Sequence, residues 1–598
     1  MKKRLTAWLL AMAMLCTAVP AAFATSGPED VVTGGVNIQS LLEDTSDKGY
    51  LITTRDEIPA GTEILDAEVR SDFKLSESAQ EIEPVERMEV YSEELDGATV
   101  SDTKAEYTTD SFSTYGEQLA DLVIQINDKV YSVGSSLKKM YDTYRSDVRK
   151  GANSQCLLDS SSDYMENFAV TLQLSGAQLT SEMASAIISD LAWTTYRCLD
   201  FDEPQMFYSN GYCGMSGSYT SSMVSFYFRP LYGAYFEDSQ ALRISLNEQL
   251  HDVADQVVSE AAYYPRAYDK MKYFHDWLCE NNDYNYAAVE SSDYPITVSG
   301  TPWSCVGGIL SNSVEGVEGP VCEGYSRAFQ LLCQKAGITA TVITSDSGVH
   351  MWNNLRYGQY WSGVDVTWDD GNDGTYNHNY FLQQVNNMSG HEVDDATFVS
   401  WLEYPNLSVI ADSTVLPFYD VSDSFWGRDY IQQVYDRDYM SGLTCVNFGI
   451  SSTLTREQFA QILYSIAGKP AVEYTDRFTD VPDGQWYTSA VLWADENGIA
   501  NGVSDTRFGV GNSITREQLA LMLYQYCGAT ETPEGYIDSF DDAAKVSDWA
   551  RTAMNWAVKE GVMSGDNKNR LNPTGKATRS ESAVMICGAI IEDQQAAA

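Results

Sequence analysis

The chain has 598 residues, which is more than a single hydrophobic core organises, so the sequence predicts several folded units. It carries 85 acidic and 38 basic residues, a formal net charge of -47 at pH 7. A nucleic-acid-binding protein needs a basic face to neutralise phosphates, so this balance excludes nucleic acid as the expected partner. Acidity of this kind is typical of secreted proteins, where it promotes solubility, and it predicts no particular ligand.

The first 24 residues, MKKRLTAWLLAMAMLCTAVPAAFA, have the three parts of a secretory signal peptide. A basic start precedes an apolar run, and Ala22-Phe23-Ala24 offers a small-x-small cleavage site after Ala24. No later apolar run reaches about 18 residues, so no transmembrane segment is expected. The sequence therefore predicts a secreted protein.

The cysteines predict neither a disulfide scaffold nor a metal site. Eleven are present, and one of them, Cys16, lies in the predicted signal peptide. The other ten are too sparse for a disulfide-stabilised scaffold, and no Cys-x-x-Cys pair of the zinc-binding type occurs. We therefore expect no metal and no cofactor. Cys333, eleven residues after Cys322, is interpreted as a core residue of the same helix.

The region before the C-terminal repeats changes character along its length. Residues 25–112 are rich in Ser, Thr, Asp and Glu, which predicts an acidic, mostly disordered spacer with one or two strands between Tyr50 and Arg70. From about Tyr115, runs such as ALRISLNEQLHDVADQVVSEA repeat apolar residues at helical spacing. After Gly337, the runs TATVITS, HMWNNLRY and QYWSGVDVTW predict strands. Helices followed by an antiparallel sheet indicate an α+β unit.

The stretch GPVCEGYSRAF places a cysteine at the start of a predicted helix. Pro320 cannot lie inside a helix, so Cys322 falls in the first turn, ahead of an apolar stripe formed by Tyr325, Phe329 and Leu332. Free N–H groups at a helix N-terminus favour a thiolate, the nucleophilic form of cysteine. The position alone leaves a buried structural cysteine open as an alternative.

A base for this thiol is expected on a hairpin. HMWNNLRYGQYWSGVD predicts two strands joined at Tyr357-Gly358. With that turn, His350 lies directly opposite Asp365, and a carboxylate beside an imidazole fixes its tautomer. The pair would supply the base and the orienting group that a thiolate needs. An ordinary cross-strand polar pair remains the alternative if the register differs.

These motifs together resemble the transglutaminase-like superfamily over roughly residues 115–400. The resemblance rests on GPVCEGYSRAF, on the His-x-Trp-Asn strand at His350 and on VDVTWDD around Asp365. It implies a papain-like core and a catalytic triad of Cys322, His350 and Asp365. It also implies thiol acyl chemistry on protein or peptide amides. Hydrolysis by a peptidase or amidase is favoured, and protein crosslinking by a transglutaminase stays open.

Beyond Pro405 the chain repeats with a period of about 60 residues, and such a period indicates a repeat module. Each copy has a Phe-x-Asp start, then a tryptophan, then a Thr-Arg motif followed by apolar residues at helical spacing. The three copies contain Phe418, Asp420, Trp426 and TREQ at 455; Phe478, Asp480, Trp486 and TREQ at 515; and Phe540, Asp542, Trp549 and TRSE at 578.

The Thr and the Gln or Glu of each motif form a predicted capping box, which leaves the arginine unexplained. Arg456, Arg516 and Arg579 occupy the same first-turn position, where guanidinium and free N–H groups make an anion site. The alternative is a solvated first-turn arginine. The copies resemble S-layer homology repeats, the first more loosely. That resemblance implies a pseudo-threefold, helix-rich bundle bound to an anionic secondary cell-wall polymer.

We therefore predict a secreted, cell-wall-attached enzyme of multidomain α+β class. The alternatives are a protein-crosslinking transglutaminase and a non-catalytic surface or S-layer-associated binding protein. The expected organisation is a signal peptide at 1–24, a spacer at 25–112, a transglutaminase-like domain at 113–405, and repeats 1, 2 and 3 at 415–470, 475–530 and 537–592.

Overall fold

The computed structural model has two compact units, formed by residues 1–356 with 360–411 and by residues 357–359 with 412–598. The predicted signal peptide lies outside the described residues. Helices and strands together support the predicted α+β class. The structure describes residues 32–33, 49–70, 80–88, 121–149, 170–205, 212–230, 240–290, 301–345, 350–371, 374–384, 388, 391, 410 and 412–591.

The described strands form three sheets, which are mostly antiparallel. Their orders are β1-β5-β9-β10-β8-β4, β2-β6-β7-β3 and β11-β12-β13. The strands are β1 Val32–Thr33, β2 Tyr50–Thr54, β3 Ile64–Asp66, β4 Glu68–Arg70, β5 Gln80–Met88, β6 Leu122–Ile126, β7 Lys129–Ser132, β8 Val170–Gln173, β9 Tyr212–Thr220, β10 Met223–Pro230, β11 Ala340–Thr344, β12 Met351–Tyr357 and β13 Tyr360–Val364.

Strands were predicted between Tyr50 and Arg70, and the structure has three there, but the rest of the predicted disordered spacer needs a correction because it also contributes strand β5. Strand β2 pairs with β6 from Tyr50 opposite Ile126 to Thr54 opposite Leu122. Tyr50 and Ile52 are buried, so this short stretch alternates side chains as a half-buried strand does. Strand β5, also within the predicted spacer, pairs with β9. Strand β5 was not predicted, because its acidic residues and Pro84 are typical of a spacer.

Several helices of the first unit pack against the helix that begins at Cys322. Its stripe of Tyr325, Phe329 and Leu332 is buried, as predicted. A methyl group at Gly308 would lie 2.5 Å from the Ala328 Cβ, so the two neighbouring helices pack at close range. The helices are α1 Gly134–Val148, α2 Ser181–Asp202, α3 Gln240–Glu260, α4 Ala267–Asn281, α5 Tyr286–Glu290, α6 Cys305–Leu310, α7 Cys322–Lys335 and α8 Val366–Asp369.

The second unit contains the three repeats, each with two α-helices. Three backbone hydrogen bonds link the repeats in a closed ring: Leu454 N to Ala577 O, Ala577 N to Ile514 O, and Ile514 N to Leu454 O, at 3.2, 3.0 and 2.9 Å. This ring supports the predicted pseudo-threefold arrangement. The helices are α9 Arg428–Asp436, α10 Arg456–Ile466, α11 Thr488–Glu496, α12 Arg516–Tyr526, α13 Arg551–Lys559 and α14 Arg579–Ile586.

The aspartate of each Phe-x-Asp start holds a loop of its own repeat. In repeat 2 the Asp480 carboxylate accepts hydrogen bonds from the N–H groups of Phe508, Gly509 and Val510 at 2.8, 2.8 and 3.0 Å. Asp420 makes the same three contacts in repeat 1, and Asp542 makes two in repeat 3. The recurrence of this residue is therefore explained by loop anchoring.

Candidate active site

Helix α7 begins at Cys322, so the predicted position of the thiol in the first turn is confirmed. The preceding residue, Val321, donates its N–H to the Pro302 carbonyl at 2.8 Å, which fixes the entry of the chain into the helix. Gly324 is required, because a Cβ there would lie 2.5 Å from the Pro302 oxygen. Cys322 is partly exposed, whereas Cys333 is buried in the core. The structure thus places only the first of these two thiols within reach of solvent.

His350 and Asp365 meet at the end of the small sheet. His350 Nε2 lies 2.6 Å from Asp365 Oδ2, and the carboxylate is buried. The predicted turn is shifted by one residue, because the strands end at Tyr357 and resume at Tyr360. Asp365 follows strand β13 and caps helix α8, where its Oδ1 accepts the Trp368 N–H at 3.2 Å. The pair therefore forms through a helix cap beside the sheet instead of as a direct cross-strand pair.

The charges of this pair reinforce each other. Burial alone would lower the pKa of His350, but the Asp365 carboxylate and hydrogen bonds to Asp365 and Cys322 raise that pKa to about 10. Burial would raise the pKa of Asp365, yet the same imidazole holds it well below its usual range. An ionised carboxylate only accepts hydrogen bonds, so the proton is on His350 Nε2. His350 Nδ1 is then left for proton exchange with the Cys322 thiol.

The raised pKa of His350 predicts a dependence of stability on pH. The folded-state pKa of about 10 exceeds the unfolded value of about 6.5, so the protonated form stabilises the fold fully below about pH 6.5. This contribution is lost as the pH rises towards 10. We expect the difference in melting temperature between wild type and His350→Gln to shrink steadily from pH 6.5 to 10, as measured by calorimetry. A difference that is constant over this range would contradict the assigned charge state.

A tyrosine that the sequence reading did not single out also contacts the thiol. Tyr284 makes hydrogen bonds to both the side chain and the backbone of Cys322, and burial is the largest contribution to its raised pKa. The next residue, Asn285, donates its backbone N–H to the Pro320 carbonyl at 3.0 Å and its side-chain amide to Gly319. These bonds fix Tyr284 beside the helix start. A neutral hydroxyl donor therefore lies next to the sulfur and the first helical N–H.

A second histidine binds the same carboxylate. His391 Nε2 lies 2.7 Å from Asp365 Oδ2, and the His391 side chain is fully buried. Its ring lies edge-on to Trp352 and Trp368, with ring centroids 4.8 and 4.5 Å apart. No local pattern predicts this contact, because His391 lies in a stretch without periodicity, 26 residues after Asp365.

Two groups of side chains in the described part of the chain have donor types that metals use. The first group is His350, Asp365 and His391, in which both imidazoles point at the same Asp365 oxygen. The second group is His275, Asp276 and His378, where the Lys272 ammonium lies 3.0 Å from His378 Nε2 and supplies a positive charge. Both groups are thus internally hydrogen-bonded networks.

The repeat arginines are partly buried and reach from one repeat to the next. Arg456 of repeat 1 donates Nε to the Phe508 carbonyl at 3.1 Å and Nη2 to the Asn501 carbonyl at 2.7 Å in repeat 2. Arg579 of repeat 3 reaches repeat 1 in the same way, with Nε 2.7 Å from the Phe448 carbonyl. Burial lowers the pKa of both arginines, which nevertheless stay charged at neutral pH. Stabilising the ring is therefore one role of these residues, which the sequence reading missed.

Arg516, the third of these arginines, differs from the other two at its Nη1 atom. Arg516 donates Nε to the Leu571 carbonyl of repeat 3, but its Nη1 also binds Glu581 Oε1 at 2.6 Å. Within the described residues, Nη1 of Arg456 and of Arg579 makes no hydrogen bond. Two of the three predicted anion-binding positions thus keep an open donor, and the third is neutralised by a carboxylate.

Comparison with known proteins identifies the repeats. The family model for the S-layer homology domain matches residues 477–520 and 539–583, within repeats 2 and 3. These residues are S-layer homology domains, and the protein is attached at the cell wall or S-layer. Repeat 1 lies outside the matched residues, although it shares the ring contacts. Within the described residues, no helix is both long and apolar enough to cross a bilayer.

Several curated proteins are similar to part of the chain. The exoglucanase XynX of Acetivibrio thermocellus is 31% identical over 174 residues, 29% of this chain and 16% of that protein. The surface-layer 125 kDa protein of Lysinibacillus sphaericus is 32% identical over 167 residues, 27% of this chain and 14% of that protein. The chain thus spans less than a fifth of these relatives.

One solved structure, a crystal structure of a TGase, aligns with 48% of this chain and 77% of its own at 15% identity, with a TM-score of 0.19.

Proposed function

We propose that this protein is a surface-attached enzyme that cleaves protein or peptide amides with a Cys322-His350-Asp365 triad. The observation that carries the proposal is the 2.6 Å contact between His350 Nε2 and the buried Asp365 Oδ2, with His350 also hydrogen-bonded to Cys322. A thiol at a helix start, an imidazole and an orienting carboxylate are the groups that nucleophilic acyl chemistry requires.

The proposed reaction proceeds through a thioester. Cys322 Sγ attacks the amide carbonyl carbon as the thiolate, with its proton already on His350, and the carbonyl electrons move onto the oxygen. Collapse of this intermediate breaks the carbon–nitrogen bond, and the leaving amine takes its proton from His350. Water then attacks the thioester and gives its proton to His350, the carbon–sulfur bond breaks, and the acid leaves while Cys322 returns to the thiolate beside protonated His350. Asp365 keeps the imidazole oriented throughout.

Tyr284 is proposed to stabilise the oxyanion together with the Cys322 N–H. We expect Tyr284→Phe to lower amide turnover about a hundredfold, because one of two donors to the negatively charged oxygen is lost. Alkylation of Cys322 by iodoacetamide forms no oxyanion at an acyl carbon, so its rate should fall by less than about tenfold, the effect of losing the Tyr284 hydrogen bond to the sulfur. A parallel fall of both rates would indicate that Tyr284 acts on the thiol and not on the oxyanion.

Trapping of the thioester tests this function and separates its variants. The protein is incubated with a peptide library, with and without a primary-amine probe, and Cys322 peptides are analysed by mass spectrometry. Acylation of Cys322 with release of free acid supports hydrolysis. Incorporation of the amine into glutamine side chains supports crosslinking instead. Absence of acylation with every peptide, while Cys322 still reacts with iodoacetamide, would favour the non-catalytic surface protein.

We further propose that the repeats bind an anionic secondary cell-wall polymer through Arg456 and Arg579. Each has an Nη1 donor that the ring contacts leave available, beside the N-terminus of a helix. Arg516 is expected to contribute less, because its Nη1 is paired with Glu581. Despite the net charge of -47, such binding is local and depends on a few guanidinium groups.

Substitution of Glu581 tests this division of roles. Glu581→Gln keeps the capping oxygen that repeats 1 and 2 take from Gln458 and Gln518, but removes the charge that neutralises Arg516. We expect affinity for purified wall fragments to rise severalfold, measured by co-sedimentation. The reciprocal change, Gln518→Glu, introduces a carboxylate at the equivalent position of repeat 2 and should lower the affinity for the wall fragments. Unchanged binding by both variants, or equal binding to fragments stripped of the polymer, would contradict the proposal.

A further inference from the structure

The Asp365 carboxylate has more hydrogen-bond donors than a triad needs. Its Oδ1 accepts the Trp368 N–H, and its Oδ2 accepts from both His350 and His391 at 2.6 and 2.7 Å. A carboxylate oxygen has two lone pairs, so both imidazoles can donate at once. Each then carries its proton on Nε2. The second histidine is thus bound to the group that orients the proposed base.

The surroundings hold His391 in this orientation. Its ring is edge-on to Trp352 and Trp368, with centroid distances of 4.8 and 4.5 Å, and lies against Tyr380 at 5.3 Å with an interplanar angle of 32°. The same two tryptophans stack on the His350 ring at 5.9 and 5.3 Å. Both indole rings therefore stack face-on against the His350 imidazole and lie edge-on to the His391 imidazole. Such packing leaves His391 little freedom to turn away from Asp365.

We infer that His391 is a positioning residue for the proposed triad, acting through Asp365. Its N–H prevents the carboxylate from rotating about its last torsion, so Oδ2 stays aimed at His350. By donating to the ionised form, it also favours a proton that stays on His350 and does not transfer to Asp365. In this role His391 acts on the Asp365 carboxylate and not on the reacting atoms. The inference rests on the proposed function, because it assumes that His350 serves Cys322.

Alkylation of Cys322 in the full-length protein tests the inference. The second-order rate with iodoacetamide is measured peptide by peptide between pH 5 and 9. His391→Phe removes the N–H donor and keeps a ring, and His391→Gln keeps an amide N–H of similar reach. His391→Met replaces the Phe variant if that protein does not fold. His251→Gln, on helix α3, is the matched histidine control.

We expect His391→Phe to slow alkylation about tenfold at pH 7 and to alter the pH profile, and His391→Gln to stay within about threefold of wild type. Equal losses in the Phe and Gln variants would mean that packing matters and not the hydrogen bond, which would overturn the inference. Wild-type rates in both variants would overturn it too.

The His350→Ala variant separates this inference from the proposed function. If His350→Ala slows alkylation and His391→Phe does not, the triad stands and the role of His391 is rejected. If His350→Ala itself has no effect, the proposed function fails, and the role of His391 fails with it.

Discussion

Replacement of Asp365 by Asn is expected to lower amide turnover by about 10³- to 10⁴-fold. The side-chain oxygen can still accept the Trp368 N–H, but the amide NH₂ then faces two imidazole nitrogens that both carry protons. His350 would have to reverse its tautomer, which places a proton where the Cys322 proton must go. Turnover is measured on the peptide that the thioester screen selects.

The matched control is Asp255→Asn, a change of the same kind on an exposed carboxylate of helix α3. It should leave turnover within about twofold of wild type. If Asp365→Asn keeps more than about a tenth of wild-type turnover while the protein remains folded, Asp365 does not orient the base.

Asp480→Ala is expected to destabilise the repeat unit by about 3 kcal/mol. The substitution leaves the N–H groups of Phe508, Gly509 and Val510 without their acceptor. Burial would raise the pKa of Asp480, but these three N–H groups lower it, so the ionised form is the stabilising one. Its contribution is present above about pH 4 and is lost as the pH falls further.

Calorimetry and hydrogen exchange of a peptide covering residues 505–512 measure this effect. Asp505→Ala, which removes an exposed carboxylate of the same repeat, is the control and should change neither signal. Loss of protection confined to that peptide, with a lower melting temperature, supports loop anchoring by Asp480. A melting temperature within about 1 °C of wild type would contradict it, because about 3 kcal/mol is a shift of several degrees.

Contacts that follow from short linear patterns were predicted well. The helix start at Cys322 follows from Pro320 and the apolar stripe behind it, and the capping boxes follow from the Thr-x-x-Gln/Glu spacing. The approach of His350 to Asp365 was also predicted, although through a turn that is shifted by one residue. The intervening stretch is short enough that one residue of error does not separate the two side chains.

Contacts between distant segments were missed for a physical reason. Tyr284 and His391 reach the site from loops that carry no periodicity, and only the folded chain brings them to Cys322 and Asp365. The arginines were recognised as recurring, but their carbonyl partners lie in the next repeat, about 45 to 140 residues away in sequence. Strand β5 was likewise missed, since its partner β9 begins only at Tyr212.

The rate of iodoacetamide labelling at Cys322 tests the central claim most directly, with His350→Ala as the comparison. The assembled triad predicts rapid labelling at pH 7, faster than that of the buried Cys333, and a fall of about tenfold in the variant. The rates should converge near pH 10, where a thiol ionises without assistance. Slow labelling at pH 7 that is the same in both proteins would mean that Cys322 is an ordinary thiol and that the repeats carry the function.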